Sequence, residues 1–169
     1  KQEIRFLSLK IWVRLKMDSY TWLVEGSNKK QGFFSNHDTD LSDNEIQKLE
    51  NFPLLRRLRT LFLHNNHISS VAPKLGESLP KLESLFLTNN KFETLVDLNP
   101  LRELSSLKML SLVNNPVTKL KNYRVYVVHL LPQLRVLDYL KVKVSVIFSA
   151  LFSPFYMLIQ LISKGKEAG

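Results

Sequence analysis

Three segments of this chain superimpose without a gap: LRTLFLHNNHI, LESLFLTNNKF and LKMLSLVNNPV. Each fits L-x-x-L-x-L-x-x-N-x-Φ, through Leu58, Leu61, Leu63, Asn66 and Ile68, then Leu82, Leu85, Leu87, Asn90 and Phe92, then Leu107, Leu110, Leu112, Asn115 and Val117. A five-position pattern kept in three copies means that one supersecondary unit is stacked on itself, since a unit of this size cannot bury its apolar side alone. A fourth copy, TDLSDNEI, keeps Leu41, Asn44 and Ile46 but has Asn36 and Thr39 where leucines are expected. A last one, LRVLDYLKV, keeps Leu134, Leu137 and Tyr139 and puts Val142 in the asparagine position, as terminal repeats do.

Asn44, Asn66, Asn90 and Asn115 are 22, 24 and 25 residues apart, the period of leucine-rich repeats. The expected fold is therefore α/β, a right-handed leucine-rich-repeat solenoid with a parallel β-sheet on the concave face and short helices or 3₁₀ turns on the convex face. The asparagines read as a structural ladder, because an amide can both accept from and donate to backbone groups in the turn after each strand. Residues flanking the paired leucines alternate outward along each strand. They place on the concave face Asp38, Asp40 and Ser42; Thr60, Phe62 and His64; Ser84, Phe86 and Thr88; Met109, Ser111 and Val113; Val136, Asp138 and Leu140. Phe62 should lie beside Phe86, with acid at one end of the face and Met109, Val113, Val136 and Leu140 toward the other. That much apolar area on a solvent-facing sheet reads as an interaction surface rather than as shielding of the strands.

In the connectors, Pro53, Pro80 and Pro100 are expected near the first turns of short helices. Arg56 and Arg57 should be exposed there, as a solvated convex surface, with phosphate contact as the alternative reading.

The block from about Leu41 to Val144, roughly six-tenths of the chain, resembles the A-prime family of the U2 small nuclear ribonucleoprotein. The resemblance is carried by LSDNEIQKLENFPLLRRLRTLFLHNNHI, by LFLTNN followed by DLNPL, and by NPVTKLKNYRVYVVHLLPQLRVLDYLKV. The last of these is similar to the cap that closes such solenoids, with Tyr123, Arg124, Tyr126, Val127, Pro132, Arg135, Val136, Leu137 and Asp138 in matching places. What the resemblance implies is a nuclear, spliceosomal protein that holds an RNA-recognition-motif protein of the B-double-prime type on its concave face, the pair binding a stem-loop of U2 snRNA. The partner-binding set is then Asp40, Thr60, Phe62, His64, Ser84, Phe86, Thr88, Met109, Ser111, Val113, Val136 and Asp138. The competing reading is another intracellular repeat adaptor, phosphatase-regulator-like or cytoskeletal, which the apolar tail could hold at a membrane.

Three parts are expected: a divergent segment 1–35, the repeat domain with its cap over 36–142, and an apolar tail 143–169. In the first, Leu7, Leu9, Ile11, Val13, Leu15 and Met17 alternate with polar or charged residues, a strand pattern. After Asp18 and Ser19, YTWLV would return as the second strand of a hairpin capping the first repeat. In the tail, Val144 to Ile162 is long enough for a membrane helix, but Ser145, Ser149, Ser153, Pro154 and Gln160 weigh against insertion. The abrupt loss of resemblance at Val144 favours a translated intron or altered gene model over a tail anchor or a segment packed on the last repeat.

Net charge is +9, spread as +4, +3 and +2 over residues 1–35, 36–142 and 143–169, so a nucleic-acid partner is compatible but no single basic stripe decides it. With no cysteine and no N-x-[ST] sequon, and with Lys1, Arg5, Lys10, Arg14 and Lys16 interrupting any secretory signal, an intracellular protein is expected. His37, His64, His67 and His129 lack the paired spacing of a metal site. Asp38, Asp40, Asp43 and Glu45 lack the glycine of a calcium loop. No phosphate loop, nucleophile elbow or catalytic triad is present, so neither cofactor nor enzymatic activity is expected.

Overall fold

A computed structural model describes residues 37–143 with their side chains, and ahead of them the backbone of five short strands. These are β1 (Glu3–Phe6), β2 (Ile11–Arg14), β3 (Thr21–Trp22), β4 (Val24–Glu25) and β5 (Gly32–Phe34). The repeats then supply β6 (Asp38–Asp40), β7 (Lys48–Leu49), β8 (Thr60–Phe62), β9 (Ser70–Val71), β10 (Ser84–Phe86), β11 (Met109–Ser111) and β12 (Val136–Leu137), with β13 (Leu140–Lys141) returning at the end.

Strands β6, β8, β10, β11 and β12 lie side by side and parallel, one from each repeat, pairing Thr39 with Leu61, Leu61 with Leu85, Leu85 with Leu110 and Leu110 with Leu137. Because the register is that of the sequence repeat, equivalent side chains fall into columns. Leu61, Leu85, Leu110 and Leu137 form one buried column, and Leu58, Leu82, Leu107 and Leu134 another. Ile46, Ile68, Phe92 and Val117 form a third on the far side of the turn. Each buried leucine removes about 2 kcal/mol worth of apolar surface from water, and no single repeat could bury all of its own.

The backbone ties one repeat to the next at two levels. At the strand starts, the carbonyls of His37, Arg59, Glu83 and Lys108 each accept two N–H groups from the following repeat, for example those of Arg59 and Thr60 at 2.7 and 2.9 Å on His37. At the strand ends, the Nδ2 groups of Asn66, Asn90 and Asn115 donate to their own repeat and to the one before. Asn90 reaches Leu63 O, Leu87 O and Thr88 O, while its Oδ1 accepts the Ile68 N–H. Asn66 and Asn115 repeat the arrangement, accepting from Ile46 and Phe92. Among the described residues Asn44 Nδ2 reaches only its own repeat, at Leu41 O and Ser42 O, and its Oδ1, like Thr39 Oγ1, is buried without a hydrogen-bond partner.

A second ladder runs along the surface through the residues just before these asparagines. Asp43, Asn65, Asn89 and Asn114 all have positive φ, from 54° to 60°, and their side chains are linked from Asn89 to Asn65 and from Asn65 to Asp43, each at 2.8 Å. Asparagine and aspartate tolerate the left-handed region better than other residues with a Cβ, which accounts for the Asn-Asn doublets.

The convex side differs from expectation in where helices sit relative to proline. No helix follows Pro53, where the chain only turns at Arg56 and Arg57. α1 (Leu75–Ser78) precedes Pro80, and a proline is disfavoured inside a helix and restricts the residue before it. Pro100 lies within a 3₁₀ helix, Val96–Glu103. Gly76 is obligatory at the crossing of these two elements, since a Cβ there would stand 2.2 Å from Glu103 O. A second 3₁₀ turn, Pro116–Lys119, leads into α2 (Tyr123–Leu130), which closes the far end.

The edge of the first repeat is covered by β5; the strand expected within residues 7–17 is described at Ile11–Arg14 and pairs antiparallel with β4 of the expected return run, but in a sheet of its own rather than against the first repeat. β5 pairs antiparallel with β6, and β3 with β5, while β1, β2 and β4 form a separate antiparallel sheet. The turn placed at Asp18 and Ser19, and the apolar run Val144 to Ile162, lie outside the described residues. Among the described residues no helix is long and apolar enough to cross a membrane.

Candidate functional site

The concave face carries a cluster of four rings. In-register parallel strands stack equivalent positions about 4.8 Å apart, and Phe62 and Phe86 accordingly stack with centroids 5.0 Å apart and planes 7° from parallel. His64 leans against both, 5.9 Å from Phe62 and 5.7 Å from Phe86. Tyr139 completes the group, 6.4 Å from Phe86. All but Tyr139 are half-buried, so the rings shield one another while keeping an open side; Tyr139 is 60% exposed.

Tyr139 was expected to point into the core, in the column of Leu63, Leu87 and Leu112. The structure corrects this. Asp138 and Tyr139 have φ of 50° and 62° and form a two-residue hairpin turn between β12 and β13, with Leu137 facing Leu140. Positive φ at both central residues suits the right-handed twist of the flanking strands. The repeat therefore stops after Leu137, and Val142 takes no part in the asparagine ladder.

Asp138 is half-buried, and its carboxylate is turned to structural use. In the preceding repeats the N–H after each strand donates to a carbonyl one repeat on, as Leu63 does to Phe86 and Leu87 to Ser111. At the last repeat no such carbonyl is available, and Asp138 Oδ1 accepts the Leu112 N–H at 2.7 Å instead. Its Oδ2 accepts from the Tyr123 hydroxyl at 2.8 Å. Burial, together with the neighbouring carboxylate, pushes the Tyr123 phenol far above its ordinary range, so it stays protonated and donating. Arg124 fastens the same hairpin by donating to the carbonyls of Leu137, Leu140 and Lys141.

The remaining expected positions fall into rows. Thr60, Ser84, Met109 and Val136 are in register and half-buried along one line. His64, Thr88 and Val113 line the strand ends, with the His64 N–H donating to Ser42 Oγ. Ser111 is corrected: it is 1% exposed, and its hydroxyl is hydrogen-bonded to Thr88 at 3.0 Å. Asp40 is exposed next to Phe62 in the register, its carboxylate accepting the Ser42 N–H. The face therefore grades from acid through aromatic to aliphatic, ending at Leu140, which is exposed. Such a surface suits an amphipathic helix presenting an apolar stripe.

A leucine-rich-repeat family model matches residues 32–150. The chain belongs to the leucine-rich-repeat family. Among these repeat proteins, the U2 small nuclear ribonucleoprotein A' of Arabidopsis thaliana is 58% identical over 104 residues, 62% of this chain and 42% of that protein. The human U2 small nuclear ribonucleoprotein A' is 54% identical over 106 residues, 63% of this chain and again 42% of the relative. The solved Drosophila melanogaster SNF/U2A' complex superimposes with a TM-score of 0.65 at 45% identity, covering 66% of this chain and 64% of that one. The A-prime resemblance read from the repeats and the cap therefore stands, as does the solenoid. The chain spans less than half the length of these two curated relatives.

Among the described residues no group of three histidine, aspartate or glutamate side chains could hold a metal ion. Sequence reasoning missed Tyr139 as a member of the leucine-rich-repeat face. The available signal was the Asp-Tyr pair ahead of Leu140, a turn inside what a gap-free superposition treats as one strand.

Proposed function

We propose that this chain is the repeat region of a U2 small nuclear ribonucleoprotein A-prime protein, acting as a non-enzymatic scaffold in the nucleus. Its concave face holds an RNA-recognition-motif protein of the B-double-prime type, and the pair binds a stem-loop of U2 snRNA in pre-mRNA splicing. The observation that carries this reading is the ring cluster of Phe62, Phe86, His64 and Tyr139 on the concave sheet, in a chain similar to one solved as a complex with SNF. Stacked aromatics framed by Met109, Val113 and Val136 offer a desolvated centre of the kind that dominates binding energy. Asp40 at the rim would favour an approach by a basic residue of the partner.

The test is capture of the partner's RNA-recognition-motif domain by the full chain and by a Phe62→Asp, Phe86→Asp variant. Two charges at the centre of the face should abolish capture while leaving the leucine columns intact. Undiminished capture would move the binding site elsewhere.

A further inference from the structure

Away from the ring cluster, at the edge where the strands begin, lies a cleft of about 190 Å³ lined by His37, Arg56, Arg57, Arg59 and Lys81. We propose that this cleft binds the phosphodiester backbone of a folded nucleic acid directly, through a surface separate from the concave face.

Two features of the repeat build it. Arg57 and Lys81 occupy equivalent places, each immediately before the first leucine of its repeat, so the stacking of repeats sets them side by side. His37 and Arg59 are joined through the backbone, the His37 carbonyl accepting both the Arg59 and the Thr60 N–H groups. The positions of the cations are thus fixed by strand pairing rather than by loop conformation.

Among the described residues no acid lines the cleft. The nearest in the same row is Glu83, which Lys108 holds at 2.9 Å and Arg59 approaches at 3.8 Å. Among the described residues Arg56, Arg57 and Lys81 form no ion pair, and all three are exposed. Arg56, Arg57 and Lys81, gathered side by side, repel one another, and a bound anion relieves that repulsion. Beyond the cleft the row continues along the sheet edge through Glu83, which Lys108 neutralises, to the exposed Arg135, so the edge keeps a net positive charge over several repeats. A backbone with one charge per nucleotide matches such an edge better than an acidic peptide, whose carboxylates alternate with other side chains. Arginine forks also pair with phosphate through two parallel hydrogen bonds.

The experiment measures binding of the full chain, without partner protein, to a labelled RNA hairpin and to a DNA hairpin of the same sequence across a series of salt concentrations. Arg56→Ala with Arg57→Ala should weaken binding by roughly tenfold and make the dependence of log K on log salt shallower by between about 1.4 and 1.8, the loss of two phosphate contacts. Lys119→Ala with Lys121→Ala, which removes the same charge elsewhere, should change both much less. Arg56→Lys with Arg57→Lys should keep the salt slope. A preference for the RNA or the DNA hairpin identifies the source of the backbone. Capture of the RNA-recognition-motif domain should be unaffected by the arginine changes, so failure here is distinguishable from failure of the concave-face reading. The proposal is overturned if neither hairpin binds, if the two alanine pairs lose affinity equally, or if a poly-glutamate peptide of equal charge binds as tightly.

Discussion

The Tyr123 hydroxyl donates to one oxygen of Asp138 at 2.8 Å, while the other oxygen of the same carboxylate takes the Leu112 N–H at 2.7 Å. One side chain therefore ends the sheet and anchors α2. Tyr123→Phe removes one of the two bonds and should cost about 1 kcal/mol. Asp138→Ala also strands the Leu112 N–H, and should cost about 2–3 kcal/mol. Urea unfolding of both variants checks the order, which the opposite ranking would contradict.

Position along the asparagine ladder should set the cost of losing a rung. Asn90→Ala removes a donor shared by three carbonyls and the acceptor for the Ile68 N–H, so a loss of about 3 kcal/mol is expected. Asn44→Ala removes two local bonds and an oxygen that has no partner, so about 1 kcal/mol is expected. Equal destabilisation in thermal melts would mean that the inter-repeat bonds contribute little.

Gly76→Ala should destabilise by about 3 kcal/mol, because the added methyl meets the Glu103 backbone rather than the end of a movable side chain. The same measurement on Ala72→Gly serves as a check that the connector is not simply intolerant of change.

Tyr139→Ala should weaken capture of the RNA-recognition-motif domain by about tenfold, the scale of a lost aromatic contact. Its melting temperature should match that of the parent chain, since the side chain is mostly exposed and makes no described hydrogen bond. Isothermal titration calorimetry separates the two effects.

Burial, and secondarily the charge of Arg102, holds His129 below its ordinary range. The unfolded chain then takes up a proton before the native state does, so stability is lost as pH falls below about 6.5 and is unaffected by this group above it. Melting temperatures at acidic and neutral pH should differ less in His129→Gln than in the parent, and identical pH profiles would rule the group out.

The leucine columns were legible because each occupies a fixed place in an ungapped repeat, and so was the stacking of Phe62 on Phe86, which needs only strand register. The row of positive φ through Asn65, Asn89 and Asn114 was visible as the first letter of each Asn-Asn doublet and was not recognised, because its signal is backbone conformation rather than apolar spacing. The position of Tyr139 failed for the same reason: leucine-like spacing continued through Asp138 while the chain had already turned. Ser111 failed because alternation assigns a side chain to a face but says nothing of a neighbour that covers it. The helices around Pro80 and Pro100 depended on packing of α1 against the following 3₁₀ helix at Gly76, a long-range contact with no local trace.

The paired N–H groups on the carbonyls of His37, Arg59, Glu83 and Lys108 bear on how a chain of this kind can change length over evolutionary time. A single residue inserted between such a carbonyl and its asparagine displaces one end of the repeat from its neighbour. Deletion or duplication of one entire unit leaves every donor facing an equivalent acceptor. The spacing of 22, 24 and 25 residues among the four asparagines shows where smaller adjustments are absorbed, in the connectors that lie between the fixed strands. Indels in related genes should therefore fall in the connectors or come in whole repeats, and should spare the segments from each strand's start to its asparagine.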